Sequence, residues 1–568
     1  MGRDGWLGSA TLLGLLSPPM REELMTLAEP VHLPAQGWLF HEGDPSDRLY
    51  LLVSGRLKIV VEGESDTRVL RSLGPGAAIG ELGILAGTPR SASVLAVRDC
   101  EVLQIDGERF RDLLARHPEI AIDLATVLSR QLQESGGLQT ADAPACVFAI
   151  AIATGGHSGD AFWTEMASAF RELGSTAAID SSDMEGVLPE GWGRALAELE
   201  RVHDYVLLRE AGRNTDWDRF CSRQADRNVV LADGPQTIAS AHRGSDLVFL
   251  GAPEHDEFDQ WSRAVLPRTH HVIGSDAELS AAARRVARRL TGHALGLVLS
   301  GGGARAFAHI GVLEVLAEEG ITFDRVGGTS MGAFVGGMAA EGWSPDRIRG
   351  ICETEMVRHS PFSDYTLPRH ALIRAHRAER MLRRLFGERT LEQLTLPLFT
   401  ISADMLSARL VIHRTGPLWE AVGASMAIPG LAPPVSHQTQ LLIDGGVLNN
   451  LPVDIMAADE PGPIVAVDVM RRIDPDELAH SARASVPTIL ETLSRATVLG
   501  SVERAETNRE LASVVIVPDV QHISLRDFRQ LRGAIDAGRA AAEKALADGG
   551  KDVLLGRGAP HAASPMPG

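Results

Sequence analysis

The 568-residue chain sets 55 Lys and Arg against 74 Asp and Glu, a net charge of −19, which excludes a general nucleic-acid partner and leaves anionic membrane to local basic patches. That length suits roughly three or four domains. The four cysteines (Cys100, Cys146, Cys221, Cys352) are too scattered for a zinc motif or a disulfide framework, which points to reduced thiols in the cytoplasm.

No apolar run approaches the about 18 residues of a membrane span. The N-terminal stretch, with one basic residue and a broken apolar run, does not read as a signal peptide. The expected protein is soluble and cytoplasmic, with membrane contact only peripheral.

From about 30 to 105, short β-type runs (LYLLVSG, RLKIVVEG, SASVLAV, CEVLQID) broken by glycine turns predict a small β-roll or barrel. Helical periodicity flanks it at 19–28 and 107–134. Gly80-Glu81-Leu82 opens a short helix whose unpaired N–H groups suit a phosphate, and Arg90 offers a charged fork to the same anion. Glu81 can accept from a ribose hydroxyl, while Ser91, able to donate its own hydroxyl, and Ala92 complete the loop. GWLFHEGDPSDRLYLLVSGRLKIV (37–60) and IGELGILAGTPRSASVLAV (79–97) resemble a cyclic nucleotide-binding domain and its phosphate cassette. The resemblance implies cyclic AMP or cyclic GMP as effector. The alternative is a fold kept as a docking module without its ligand; the presence of both Glu81 and Arg90 favours binding. No helix-turn-helix pattern follows residue 138, so a DNA-binding regulator is excluded together with the charge.

SGGLQTADAP (135–144) reads as a linker. Beyond it VFAIAIA, DYVLLRE, RNVVLAD and DLVFLGA alternate with helical runs, predicting an α/β layer with a parallel sheet. ATGGHSGDAF (153–162) lacks a P-loop lysine and a complete dinucleotide fingerprint, so it reads as structural. AAARRVARRL (281–290) reads as a helix with an ordinary solvated arginine face.

A second α/β block opens at LGLVLSGGGARAFAHIGVLEVLAEEG (295–320): a buried strand, three glycines, then a helix ending near Gly320. TFDRVGG supplies the next strand, and Gly328-Thr329-Ser330-Met331-Gly332 closes it as G-x-S-x-G, a tight strand-to-helix turn that exposes a serine hydroxyl. A right-handed crossover brings both strand ends to one sheet edge. Gly301, Gly302 and Gly303 would then present bare N–H groups at a helix start beside Ser330, with the Met331 N–H added, as donors to an oxyanion. The G-x-G-x-x-G spacing fails at Ala306, and no G-K-[ST] follows, which disfavours a nucleotide loop. LIDGGVLNNLP, from Leu442, ends a strand in Asp444, a candidate base; alone it would read as a turn aspartate.

SGGGARAFAHIGVL, GTSMGA, ASMAIPGLAPP (424–434) and IDGGVLNNLP together resemble the patatin-like phospholipase family, and within it the bacterial relatives of neuropathy target esterase, over roughly residues 293–520. The resemblance implies a Ser-Asp dyad, Ser330 as nucleophile and Asp444 as base, with Gly301, Gly302, Gly303 and Arg305 around the oxyanion. Ala306 departs from the family's usual glycine; altered loop packing without loss of function is expected. His309, among apolar neighbours, reads as a core histidine, and His413 and His437 carry no motif, so a dyad is preferred to a triad. ALIRAHRAERMLRRLF (371–386) puts Ala378, Met381, Leu382 and Leu385 on one face and arginines on the rest. It reads as a surface helix packed on the core in preference to an interfacial lid.

The expected architecture is multidomain: a cyclic nucleotide-binding-like β-roll (1–138), an α/β intermediate layer (139–292), and an α/β patatin-like hydrolase with a mainly parallel sheet and a helical extension (293–548). A disordered tail (549–568) follows. The expected activity is metal-independent hydrolysis of lysophospholipid or phospholipid esters, with no catalytic cofactor and a cyclic nucleotide as regulator. The competing readings are a thioesterase or general carboxylesterase using the same dyad, and a non-catalytic cyclic nucleotide-responsive scaffold.

Overall fold

The computed structural model describes residues 23–35, 37–62, 67–117, 146–152, 157–210, 215–232, 242–274, 278–367, 369–470 and 499–555. The expected linker at 135–144, much of both flanking helical stretches, residues 153–156 and the tail beyond Leu555 lie outside them. The chain forms two compact units, one reaching Thr291 and the other running from Gly292, with Gly251–Pro253 and His271–Asp276 belonging to the second. Among the described residues no helix is long and apolar enough to cross a membrane.

The first unit opens with β1 (Glu29–Leu33), β2 (Trp38–Phe40), β3 (Arg48–Ser54), β4 (Leu57–Glu62), β5 (Thr67–Leu73), β6 (Ala78–Ile79), β7 (Ser93–Ala96) and β8 (Cys100–Asp106). They make two four-stranded sheets, ordered β1-β8-β3-β6 and β2-β7-β4-β5, with antiparallel pairings. Strand periodicity explains how β3 is buried on both faces. Leu49 and Leu51 join one cluster with Ile84 and Phe110, while Tyr50 and Leu52 join another with Val94 and Val102.

The chain continues with β9 (Val147–Ile152), β10 (Thr176–Ile179), β11 (Tyr205–Glu210), β12 (Arg227–Ala232) and β13 (Asp246–Leu250) in the same unit, and β14 (Thr269–Ile273), which passes from the first unit to the second at His271. Their sheet runs β10-β11-β9-β12-β13-β14 and is parallel from β10 to β13. Every residue of β9 is buried, as expected for a central parallel strand covered on both faces. Arg98 joins the roll to this layer: fully buried, it pairs with Glu200 and donates to the Gln224 carbonyl at 3.0 Å. The helix Leu279–Thr291 corrects one expectation, because its arginine stripe is not wholly solvated. Arg289 is buried and donates to Thr269 Oγ1 at 2.8 Å.

The second unit contains β15 (Gly296–Leu299), β16 (Arg325–Thr329), β17 (Leu398–Asp404), β18 (Arg409–His413), β19 (Val435–His437), β20 (Gln440–Asp444), β21 (Ile464–Val467) and β22 (Val514–Ile516). The sheet order is β19-β20-β17-β16-β15-β21-β22, with β18 also on β17. β17, β16, β15, β21 and β22 are parallel. β18 and β20 run antiparallel to β17.

A strand has only two edges, so three partners on β17 must share them. β16 pairs with residues up to Ile401 and β20 with Ser402–Asp404, while β18 overlaps both. β18 therefore takes one edge, and β16 and β20 meet head-on along the other. The chain leaves β16 after Thr329, the partner of Ile401, and the vacated place opposite Ser402 is filled by Asp444.

Candidate functional site

Ser330 stands at that junction, between β16 and the helix Met331–Ala340, whose ten residues are all buried. Its backbone has φ 54° and ψ −124°, a conformation that costs a non-glycine residue about 1–3 kcal/mol and persists only where surroundings enforce it. Two contacts do so: the Ser330 N–H donates to Ser425 Oγ at 2.9 Å, and Thr329 Oγ1 donates to the Asn449 carbonyl at 3.2 Å. The turn also needs Gly332, where an added Cβ would lie 2.3 Å from the Leu299 carbonyl oxygen.

Asp444 faces this serine. Burial pushes its carboxyl up to about 6, opposed by a hydrogen bond from the Ser330 side chain and one from the Gly446 N–H at 2.8 Å. A carboxylate with so few donors holds a proton more readily than a solvated one, which is what a base near neutral pH requires. The expectation that Asp444 ends a strand at the serine's crevice is met by a different route: β20 comes in antiparallel, not as another parallel strand.

The glycine loop lies opposite. Gly303 has φ 54° and lies so close to the next segment that a Cβ would meet the Leu525 carbonyl oxygen at 2.2 Å. The Gly301 N–H is spent on the Asn450 carbonyl at 3.2 Å, and the Ala304 N–H on that of Leu525 at 2.8 Å. The N–H groups of Gly302, Gly303 and Met331 find no acceptor among the described residues. Arg305 differs from the expectation. Its guanidinium donates to the Ile523 carbonyl at 2.7 Å and to the Gln521 carbonyl and side chain at 3.0 Å, so it clasps residues 521–523 to the loop. Ala306 is fully buried, and the extra methyl is absorbed into the core.

Ser330, Asp444 and the three glycines line one cavity of about 50 Å³, closed by Ile428, Leu431 and Met470 among others. Asn450 and Ser425 are supports that single-residue reasoning passes over, although both fall inside quoted motifs. Asn450 Nδ2 returns a hydrogen bond to the Gly301 carbonyl at 3.1 Å, so one residue braces the loop from both sides.

The histidines stay outside. His309 is fully buried, bonded to the Ser300 carbonyl at 2.9 Å, and burial pushes its imidazole down to about 4, so it is neutral. His413 bonds Ser402, and His437 bonds Glu420 at 2.9 Å. The helix predicted over 371–386 starts at His376 and packs Ala378, Met381, Leu382 and Phe386 inward, a core-packed surface helix.

In the N-terminal cassette, Gly80 (φ 88°) precedes the helix Glu81–Ala86, which contains Leu82. Glu81 and Arg90 are both buried, Ser91 is exposed and Ala92 half-buried. Arg90 donates to the carbonyls of Arg48 at 2.7 Å and Gly80 at 3.2 Å, and its guanidinium carbon lies 4.2 Å from the Phe40 ring centre. The structure thus brings Gly80, Glu81 and Arg90 together, with the arginine already occupied by backbone.

A family model described as patatin-like phospholipase matches residues 297–457, and one described as cyclic nucleotide-binding domain matches residues 30–117. The chain is 34% identical to an uncharacterized NTE family protein of Mycobacterium tuberculosis H37Rv, over 95% of this chain and 96% of the relative. It is 28% identical to human patatin-like phospholipase domain-containing protein 6, over 76% of this chain and 37% of the relative. With lysophospholipase nte1 of Neosartorya fischeri it shares 26% identity, over 76% of this chain and 35% of the relative. The chain therefore spans just over a third of these last two proteins.

Proposed function

The chain belongs to the NTE family and carries a patatin-like phospholipase domain, and from that premise we propose that it hydrolyses lysophospholipid or phospholipid esters with Ser330 and Asp444 as a dyad. Ser330 Oγ attacks the acyl carbonyl and its proton passes to Asp444. The negative charge on the carbonyl oxygen is met by the unspent N–H groups of Gly302, Gly303 and Met331. Asp444 returns the proton to the departing glyceryl oxygen, then takes one from the water that attacks the acyl-serine and passes it to Ser330 Oγ as the fatty acid leaves.

The observation that carries this reading is the buried Asp444 carboxyl, raised to about 6 and hydrogen-bonded to a serine in a strained elbow. The test is turnover of a panel of lysophosphatidylcholine, acyl-thioester and short-chain ester by wild type, Ser330→Ala and Asp444→Asn, with a serine-reactive phosphonate probe. Preference for the lysophospholipid and loss of labelling in Ser330→Ala are expected; a folded wild type that takes no label would overturn the assignment.

The cassette supports a second part of the proposal: a cyclic nucleotide binds between Glu81 and Arg90, its phosphate taking over Arg90 donors now given to carbonyls. Such binding would regulate hydrolysis from within a protein that works in the cytoplasm and meets membrane only peripherally. Calorimetry with cyclic AMP and cyclic GMP tests it, no heat from either being the contrary result.

A further inference from the structure

The cavity wall is apolar except for Ser330, Asp444, Asn450 and one cation, Arg526. Arg526 is exposed at the rim, and its guanidinium donates to the Tyr365 hydroxyl at 2.9 Å. Among the described residues no carboxylate pairs with it, in a chain of net charge −19. Its backbone is anchored, not loose. Leu525, its neighbour, accepts from the Ala304 N–H, and Ile523 accepts from Arg305, so the segment is stapled to the glycine loop.

We propose that Arg526, oriented by Tyr365, is the specificity-determining residue that receives the phosphate of the lipid headgroup, fixing phospholipid against neutral glyceride. This rests on the hydrolase reading above. An ester carbonyl at Ser330 and a phosphate on the same glycerol are joined by a short linker, and both protein groups face one cavity. A guanidinium presents paired donors to phosphate oxygens, and among the described residues this one has no carboxylate to surrender first. The acyl chain has apolar wall to occupy at Ile428, Leu431 and Met470, which leaves Arg526 as the one cation among the described lining residues to meet an anionic headgroup.

The test compares lysophosphatidylcholine with monoacylglycerol of the same acyl chain on wild type, Arg526→Ala, Arg526→Lys and Tyr365→Phe. Losing a charge-assisted bond should lower the lysophosphatidylcholine-to-monoacylglycerol ratio of kcat/KM about tenfold in Arg526→Ala, mainly through KM. Arg526→Lys should recover part of the ratio, and Tyr365→Phe should lose a smaller part. An unchanged ratio, with both substrates falling together, would reduce Arg526 to a structural latch and overturn the proposal. Phosphonate labelling at the wild-type rate verifies that the pocket of each variant is intact. Millimolar inorganic phosphate should leave monoacylglycerol turnover unaltered, because the headgroup binds only as part of a tethered lipid. Inhibition by phosphate that Arg526→Ala abolishes would assign the residue to a free anion instead. A wild type that hydrolyses neither lipid would defeat the hydrolase reading itself, whereas an unchanged ratio defeats only this one.

Discussion

The N-terminal cassette and the serine pocket both surround a buried functional group with backbone, but they resolve its hydrogen bonding in opposite ways. Arg90 is largely engaged without a ligand: one carbonyl accepts from each terminal nitrogen and Phe40 covers its face, while the buried Nε–H has no acceptor among the described residues. Ser330 and Asp444 are held under tension, one in a strained backbone and the other in a site that raises its carboxyl to about 6. An anion meeting the Arg90 terminal nitrogens would compete with two carbonyls, whereas the N–H groups of Gly302, Gly303 and Met331 beside Ser330 are already bare among the described residues. The first arrangement suits a switch and the second suits catalysis.

That contrast breaks first at the proposed dyad. Ser330→Ala and Asp444→Asn should each lower kcat by about 1,000-fold or more while binding is kept, read by steady-state kinetics on lysophosphatidylcholine. Gly303→Ala comes next, because its Cβ would push against Leu525 and shift the donors; a loss of about 100-fold in kcat is expected. Arg90→Ala should weaken cyclic nucleotide binding about 10- to 100-fold by calorimetry, the worth of charge-assisted bonds to the phosphate.

The pH profile sharpens the comparison further. The Asp444 carboxyl lies above its ordinary value, so it is protonated and idle below about 6 and ionised above. kcat/KM should rise with pH, level off above about 6, and lose about tenfold per unit below it. Since the folded state holds this proton more tightly than the unfolded chain does, the same group favours folding at low pH, and that contribution disappears as pH rises through about 6. The smallest effect is on stability. Ser330→Gly removes the positive-φ strain and should stabilise the hydrolase unit by about 1 kcal/mol, read as a higher melting temperature, while abolishing turnover.

Much of this was legible beforehand. Apolar runs such as VFAIAI and GLVL announce buried strands because parallel sheets are covered on both faces, and G-x-S-x-G announces the elbow because only small residues let the helix turn back so closely. The direction of β20 was not legible, since an apolar pentapeptide reads alike in either orientation. Arg305 was placed around the oxyanion by family resemblance alone, and the carbonyls of Gln521 and Ile523 that accept from its guanidinium leave no trace in side-chain identity. Ser425 and Asn450 work through one hydroxyl and one amide on backbone atoms, contacts that no spacing rule encodes.

The head-on meeting of β16 and β20 on one edge of β17 has a bearing on biosynthesis. A nascent chain that has emerged only through β17 lacks Asp444, and it also lacks Ser425 and Asn449, the two residues that fix the serine turn. On the proposed mechanism, the pairing of β20 with β17 is what delivers the base to the serine, so a polypeptide short of Asp444 would carry no assembled site.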